Sequence, residues 1–437
     1  MLILHLSIVW HSKLKSLLWC GMKNSTGKKL NSGSIFNPVI YCGACHSADL
    51  VQVYDFGTVP LAGYFPSKGS ENRDFLIPMQ LILCIKCSLV QITPDVADEI
   101  LFSDYRYVSS VGMQEHFNQF ADWFSNELNA SKTLDILEIG CNDGPLLQAL
   151  LERGFNPTGI DPASNIVKLA QAKSFEVIND FFNQSSLEKY NLINSQDVVI
   201  SCNSFAHISD ISGIANAVSQ TLRPNGIFIV EVQSFLDLIK TNSFDFIYHE
   251  HKYYYSIKSI SSLLNQFGLH LIDGMKISTH GGSYRLIFSK HFQAKSPNLE
   301  AMEREEETES VSQEVIIAGI EIFMKQIELT REFLSKCRSE GKRVVGFGAS
   351  GRANMLLRYL GEEAGIIETI FDESAERIGR NMGFTNIPII SFSKMASEQY
   401  DAVVVLAWNY ATIVLSKLPK HMASVVIPLP RYRQEIK

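Results

Sequence analysis

Cysteine spacing and one dense polar-aromatic segment are the first places where this 437-residue chain could do chemistry. Cys42 and Cys45, then Cys84 and Cys87, form two Cys-x-x-Cys knuckles, apart from the scattered Cys20, Cys141, Cys202 and Cys337. Two residues between cysteines let a tight turn aim both thiolates at one ion, and two knuckles complete the four-thiolate tetrahedron that Zn2+ prefers. A closed shell has no open position, so the expected metal supports folding rather than catalysis. Disulfides are the competing reading and need an export signal; residues 1–21 are interrupted by His5, His11, Lys13 and Lys15 and show no small-residue cleavage site. The second cluster is Phe246-Ile-Tyr248-His249-Glu250-His251-Lys-Tyr253-Tyr254-Tyr255. An imidazole beside a carboxylate and phenols offers a general base with a partner to orient it, working near neutral pH. The segment reads as a polar, aromatic loop, not a strand.

The elements that must position these groups read as α/β. From Leu134 onward, short apolar runs alternate with amphipathic stretches: LDILEIG, PTGID, FEVI, DVVIS, GIFIVEVQ, LHLIDGMKI and YRLIFS supply seven strands for one doubly wound sheet. After the first run comes the loop Glu138-Ile-Gly140-Cys-Asn142-Asp143-Gly144, and Asp161 closes the next strand, 21 positions after Gly140. An acid there can accept hydrogen bonds from both ribose hydroxyls of an adenosine. The loop lacks the paired glycines of G-x-G-x-x-G and lies beside Asp143, which suits the cationic, amine-bearing S-adenosylmethionine better than a pyrophosphate. Residues 1–38 are expected to be an N-terminal extension with Met22 as an alternative start, 39–100 a small zinc-binding domain, and 101–295 the methyl-donor domain. Residues 296–340 form an amphipathic connecting helix with a solvated acidic stretch, Glu303 to Glu309. Residues 341–437 form a smaller Rossmann-like domain with strands at VVGF, IIETIFD, AVVVLAW and VVIP.

Composition limits the partners. Lys and Arg number 39 and Asp and Glu 46, so 39 − 46 = −7, which gives no global basis for binding nucleic acid or an acidic membrane. No apolar run reaches the roughly 18 to 20 residues of a membrane span. A cytoplasmic monomer with a small-molecule substrate is the expectation.

The E-x-G-x-x-x-G loop resembles motif I of the class I methyltransferases, and Gly159-Ile160-Asp161-Pro162, Asn179-Asp180 and Asn203-Ser204-Phe205 fall where that family's later adenosine and methionine contacts sit. The knuckles, these motifs, Tyr248-x-Glu250-His251 and His280-Gly281-Gly282-Ser283-Tyr-Arg285 together resemble the zinc-containing C-methyltransferases of nucleotide-activated ketodeoxysugars. The resemblance runs from about residue 40 to the C-terminus and implies S-adenosylmethionine and structural Zn2+ as cofactors. It implies cofactor contacts from Glu138, Gly140, Asn142, Asp143, Gly144, Asp161, Asp180 and Asn203. It also implies His251 as base, Tyr248 and Glu250 holding the sugar, a further tyrosine at Tyr107 (or Tyr105), and His207.

The C-terminal unit opens with a full G-x-G-x-x-G, Gly346-Phe-Gly348-Ala349-Ser350-Gly351, with Asp372 beyond it. Alone, that would suggest an NAD(P)-dependent oxidoreductase. The resemblance instead implies that this unit holds the diphosphate and base of a sugar nucleotide, on Gly348, Ala349, Ser350 and Asn409. His280 and Arg285, with Arg352 or Lys342, are the further substrate contacts. Trp408 is expected to pack in the core. A non-catalytic zinc-bearing scaffold is the third reading.

Overall fold

The computed structural model describes residues 36–68, 76–102, 108–128, 131–309, 311–419 and 424–436. Tyr105, Tyr107 and nearly all of the expected N-terminal extension lie outside the described residues.

The seven apolar runs form one sheet, in the order His270–Ile277, Ser283–Ser289, Leu222–Gln233, Gln196–Cys202, Ile136–Ile139, Pro157–Ile160 and Val177–Ile178. The last five pair in parallel, while Ser283–Ser289 runs antiparallel to both its neighbours. Parallel neighbours need crossover helices on the faces, so a central strand such as Ile136–Ile139 is buried at every position. Strand order reverses between Ile136–Ile139 and Gln196–Cys202, which opens a crevice at their carboxyl ends. Gly140 sits there with φ +73°, and a Cβ on it would lie 2.5 Å from the Ser204 Cβ. Only glycine lets the strand turn this tightly against the neighbouring loop.

A six-stranded sheet occupies the C-terminal part, in the order Ile389–Ser391, Ile367–Asp372, Val344–Phe347, Ala402–Val405, Ser424–Ile427 and Arg433–Ile436. Its four expected strands are joined by the three-residue strand IIS, whose apolar run is very short, and by the polar edge RQEI. Between the two sheets lie two helices, Pro297–Glu309 and Gln313–Ser339, where one was expected. Ser312 ends the continuity by accepting the Val315 N–H as the second helix's cap. Nor is the acidic stretch wholly solvated. Glu306 is buried and accepts the N–H groups of Ile257 (2.7 Å) and Lys258 (3.1 Å), capping helix Ile257–Asn265, with the Tyr284 hydroxyl at 3.2 Å.

The four-cysteine region forms a sheet from Leu50–Pro60, Leu76–Cys84 and Val90–Thr93, and its fourth strand is Tyr253–Tyr254. The polar-aromatic segment, expected to contain no strand, therefore contributes one: Tyr253 pairs with Gln91 and Tyr254 with Val90, antiparallel. Tyrosine favours strands where a partner exists, and here the partner lies far upstream in the chain.

The four thiols of Cys42, Cys45, Cys84 and Cys87 all lie within 4.8 Å of one another. Cys42 and Cys87, and Cys45 and Cys84, are 3.5 Å apart. Thiolates about 2.3 Å from a tetrahedral ion would stand roughly 3.8 Å apart, so the cluster fits Zn2+ with little adjustment. One knuckle joins Leu76–Cys84 to Val90–Thr93, the strand that pairs with Tyr253–Tyr254, and the other precedes Leu50–Pro60. Chelating the metal, or Cys84→Ser, is therefore expected to lower methyl transfer at least about tenfold. S-adenosylhomocysteine affinity, measured by calorimetry, should fall far less, because its crevice belongs to the seven-stranded sheet; equal loss of both would contradict this division.

Candidate active site

His251 stands on the loop between the short helical turn Phe244–Phe246 and the strand Tyr253–Tyr254. The four-cysteine region grips this loop on both sides of His251. His249, fully buried, bonds through Nε2 to the Pro78 carbonyl at 3.1 Å. The Glu250 Oε1 accepts the Gly63 N–H at 2.7 Å. Lys252, buried, places its ammonium on the Val96 carbonyl (2.8 Å), on Asp95 and Asp98 (2.6 Å each), and on the Ser209 hydroxyl. Between these anchors the His251 Nδ1 meets the Phe246 carbonyl at 3.0 Å. A carbonyl only accepts, so Nδ1 carries the proton and the lone pair is on Nε2, 3.0 Å from the Tyr248 hydroxyl.

A cavity of about 380 Å³ is lined in part by His251. Its wall also includes Asp161, Phe182, Asn203 and His207 of the seven-stranded unit, Tyr248, Glu250 and His280 beside His251, and Ser350, Arg352, Arg377 and Asn409 of the C-terminal unit. The loop Ala62–Gly63 of the four-cysteine region closes one side. Asn354, fully buried, holds that loop by donating to the carbonyls of Ala62 (2.9 Å) and Tyr64 (3.2 Å). The rings of His207 and His251 meet edge to face at 4.7 Å. Burial pushes His207 and His280 down to about 4 and His251 well below its ordinary value, so all three imidazoles are neutral at pH 7. Burial also raises the Glu250 carboxyl, whose Oε2 is buried without a partner on the cavity side.

At the crevice end, Asp161 accepts the N–H groups of Asn142 (3.0 Å) and Ala163 (2.8 Å), tying down the glycine loop. Asp372 makes the same two ties in the C-terminal unit, to Ala349 (2.6 Å) and Ser374 (2.7 Å). One mechanical device thus serves both loops, which is why the second G-x-G-x-x-G looks like a dinucleotide site. Glu138 lies behind Ile139 and Gly140 with its Oε2 buried and unpartnered. Burial, and then the charges of Asp161, Glu231 and Asp143, push it up to about 8. Asp161 and Glu231 line this end of the pocket with Glu138 close behind, a setting that fits a ligand bearing a sulfonium and an ammonium better than a pyrophosphate.

Several expected contacts are placed elsewhere. Asp143 is buried off the cavity, accepting the Ser110 N–H (3.0 Å) and the Lys173 ammonium (2.9 Å). Gly144 starts helix Pro145–Glu152 at φ +83° and does not line the cavity. Asp180 turns to Lys189 and Tyr190, leaving its neighbours Phe181 and Phe182 on the wall. Arg285 is removed from the substrate side altogether. Its guanidinium is buried against Glu231 at 2.7 Å and covered by Phe120 and Trp123, because the two strands pair residue 231 with 285. Lys342 is exposed and pairs with Glu340. Gly348 and Ala349 lie behind the cavity, and the Ser350 hydroxyl caps its own helix by accepting the Ala353 N–H. Trp408 is in the core, as expected, yet its indole N–H also donates to Asp245 at 2.8 Å. Asp245, Glu231 and the Ala62–Gly63 loop were not singled out by sequence, and Phe246 was named only as the start of the polar-aromatic segment; the adjacency of Asp245 to that segment was its one signal.

Three family models tile the chain: a zinc binding domain over residues 42–102, a methyltransferase domain over 105–273 and a C-methyltransferase C-terminal domain over 278–430. C-methyltransferase NovU of Streptomyces niveus is 28% identical over 410 residues, covering 91% of this chain and 97% of NovU. The chain belongs to the S-adenosylmethionine-dependent C-methyltransferases. Its cofactors are S-adenosylmethionine and zinc, and the nicotinamide reading of the second glycine loop is not favoured. Other relatives of this C-methyltransferase share less of its length. A ubiquinone biosynthesis O-methyltransferase of Azorhizobium caulinodans is 31% identical over 108 residues, 24% of this chain and 43% of that one. The magnesium protoporphyrin IX methyltransferase of Synechocystis PCC 6803, crystallised with S-adenosylmethionine, has 17% identity and a TM-score of 0.33, covering 44% of this chain and 89% of that one. Among the described residues no helix is long and apolar enough to cross a membrane.

The Glu138 shift has a sign that can be tested. A carboxyl raised from its ordinary 4.5 to about 8 costs the ligand-free C-methyltransferase stability as pH rises through that window. A cationic ligand beside it lowers the pKa again, so binding S-adenosylmethionine at pH 7 should release protons. Calorimetry in two buffers of different ionisation enthalpy should detect the release, and Glu138→Gln should diminish it; identical heats in both buffers would refute the assignment.

Proposed function

We propose that this C-methyltransferase transfers a methyl group to a carbon beside the ketone of a nucleotide-activated ketodeoxysugar. The observation that carries this is one cavity whose wall combines Asp161 and Glu231 of the crevice, His251, and Arg352 and Arg377 of the C-terminal unit. Those groups suit a cationic methyl donor, a reacting centre and an anionic tail. In the C-terminal unit Arg352 Nη1 and Arg377 Nε are buried donors without partners, suited to diphosphate oxygens, with Asn409 at the exposed rim.

A saturated sugar carbon is not a nucleophile, so its C–H bond must be broken first, next to a carbonyl. His251 takes that proton on Nε2. The C–H electron pair becomes an enolate, while the Phe246 carbonyl keeps the Nδ1 proton and steadies the imidazolium. Tyr248, whose hydroxyl rests on Nε2 in the free protein, donates instead to the ketone oxygen as charge develops there. Glu250 Oε2 and His207 hold sugar hydroxyls, and His280 flanks the same face. S-adenosylmethionine, when bound, supplies the electrophilic methyl group. Phe246 and the Ala62–Gly63 loop keep water from the enolate. The reading makes the chain a cytoplasmic monomer acting on a soluble small molecule.

His251→Asn should lower kcat by roughly 10²–10⁴-fold across a panel of nucleotide ketosugars, with S-adenosylhomocysteine affinity retained. Near-normal turnover in that variant would remove His251 as the base, and no methylation by the unaltered protein across the panel would count against the substrate class.

A further inference from the structure

Asp245 is fully buried on the turn just before Phe246, and it faces the C-terminal unit. Its carboxylate takes Arg352 side-on, Oδ2 to Nε and Oδ1 to Nη2, each at 2.9 Å, and Oδ2 also accepts the Trp408 indole N–H at 2.8 Å. The guanidinium is sandwiched, with its carbon 3.7 Å from the centre of the Phe246 ring and 4.5 Å from that of Trp408. Phe246 in turn stacks on His251, ring centres 6.1 Å apart and planes 11° from parallel. Four flat groups, His251, Phe246, Arg352 and Trp408, thus form one stack that crosses from the methyltransferase unit into the C-terminal unit. One edge of the guanidinium, Nε and Nη2, is spent on Asp245, and two rings cover it. Nη1 remains, buried, without a partner, and on a residue that lines the cavity.

We propose that Asp245 is a positioning residue that presents Arg352 Nη1 to an anionic oxygen of the substrate's diphosphate and sets that anchor in register with His251. This rests on the nucleotide-sugar reading above. Lysine in place of Arg352 could carry the charge but neither the sandwich nor the side-on pair. Because the Phe246 carbonyl orients His251, phosphate held on Arg352 and the base share one rigid backbone turn. Binding energy from the remote phosphate can then raise turnover as well as affinity.

The test uses the zinc-loaded full chain with S-adenosylhomocysteine present, titrated by calorimetry with inorganic pyrophosphate and with ADP, GDP, UDP and TDP. The unaltered protein should bind at least one of these. Asp245→Asn should weaken that binding about tenfold or more and leave S-adenosylhomocysteine affinity unchanged, with Trp408→Phe weakening it less. With a turned-over nucleotide sugar, Asp245→Asn should lower kcat as well as raise KM, which loss of mere anion attraction would not do. Anion affinity in Asp245→Asn equal to that of the unaltered protein would overturn the role. Should that variant lose both ligands through misfolding, Trp408→Phe decides, and unchanged anion affinity and kcat there would overturn it. No binding of any of the five probes by the unaltered protein would instead overturn the diphosphate reading, and this role with it.

Discussion

Tyr253–Tyr254 pairs with Val90–Gln91, so the segment that carries His251 is an edge strand of a sheet built by the four-cysteine region. The proposed mechanism depends on that pairing for the placement of His251. A general base has to be held to a fraction of an ångström, and an irregular loop at the end of a parallel sheet does not supply such rigidity by itself. Here the loop borrows it. His249 on Pro78, Glu250 on Gly63 and Lys252 on Val96, Asp95 and Asp98 fix successive residues on both sides of His251. The metal acts at a distance: it closes the knuckles from which the sheet is strung and touches no reacting atom.

The cavity is electrically divided along its length. Glu138, Asp161 and Glu231 lie close together at the crevice end, and burial, with the neighbouring carboxylates second, pushes Glu138 up to about 8. Arg352 and Arg377 stand at the other end. Between them the histidines are held neutral by burial, as a base awaiting a proton must be. The net charge of −7 therefore describes neither end. A cationic donor and an anionic substrate can be admitted to one cavity because each meets its own local field rather than an average.

What could be read from the chain was what is encoded locally. Apolar runs announced all seven strands of the main sheet; knuckle spacing announced the zinc site; Gly140 and Asp161 announced the crevice. Residues whose role depends on a distant partner were silent or misleading. Tyr253–Tyr254 looked like loop because nothing nearby shows the edge of Val90–Thr93. Glu306 looked solvated, and Arg285 looked like a substrate cation, because a charge does not declare whether it will meet a helix start, a buried Glu231 or a ligand. Asp245 had no motif, and its importance comes from Arg352 and Trp408, which the fold brings to it across two units.

The central claim is that a loop held in this way breaks a carbon–hydrogen bond before the methyl group moves. Its most direct test holds the protein in D2O with S-adenosylhomocysteine, which has no methyl group to give, and a nucleotide ketosugar, and follows the carbon beside the ketone by mass spectrometry. Deuterium should enter that carbon with the unaltered protein and not with His251→Asn; no incorporation above the spontaneous rate with the unaltered protein would contradict proton removal ahead of methyl transfer.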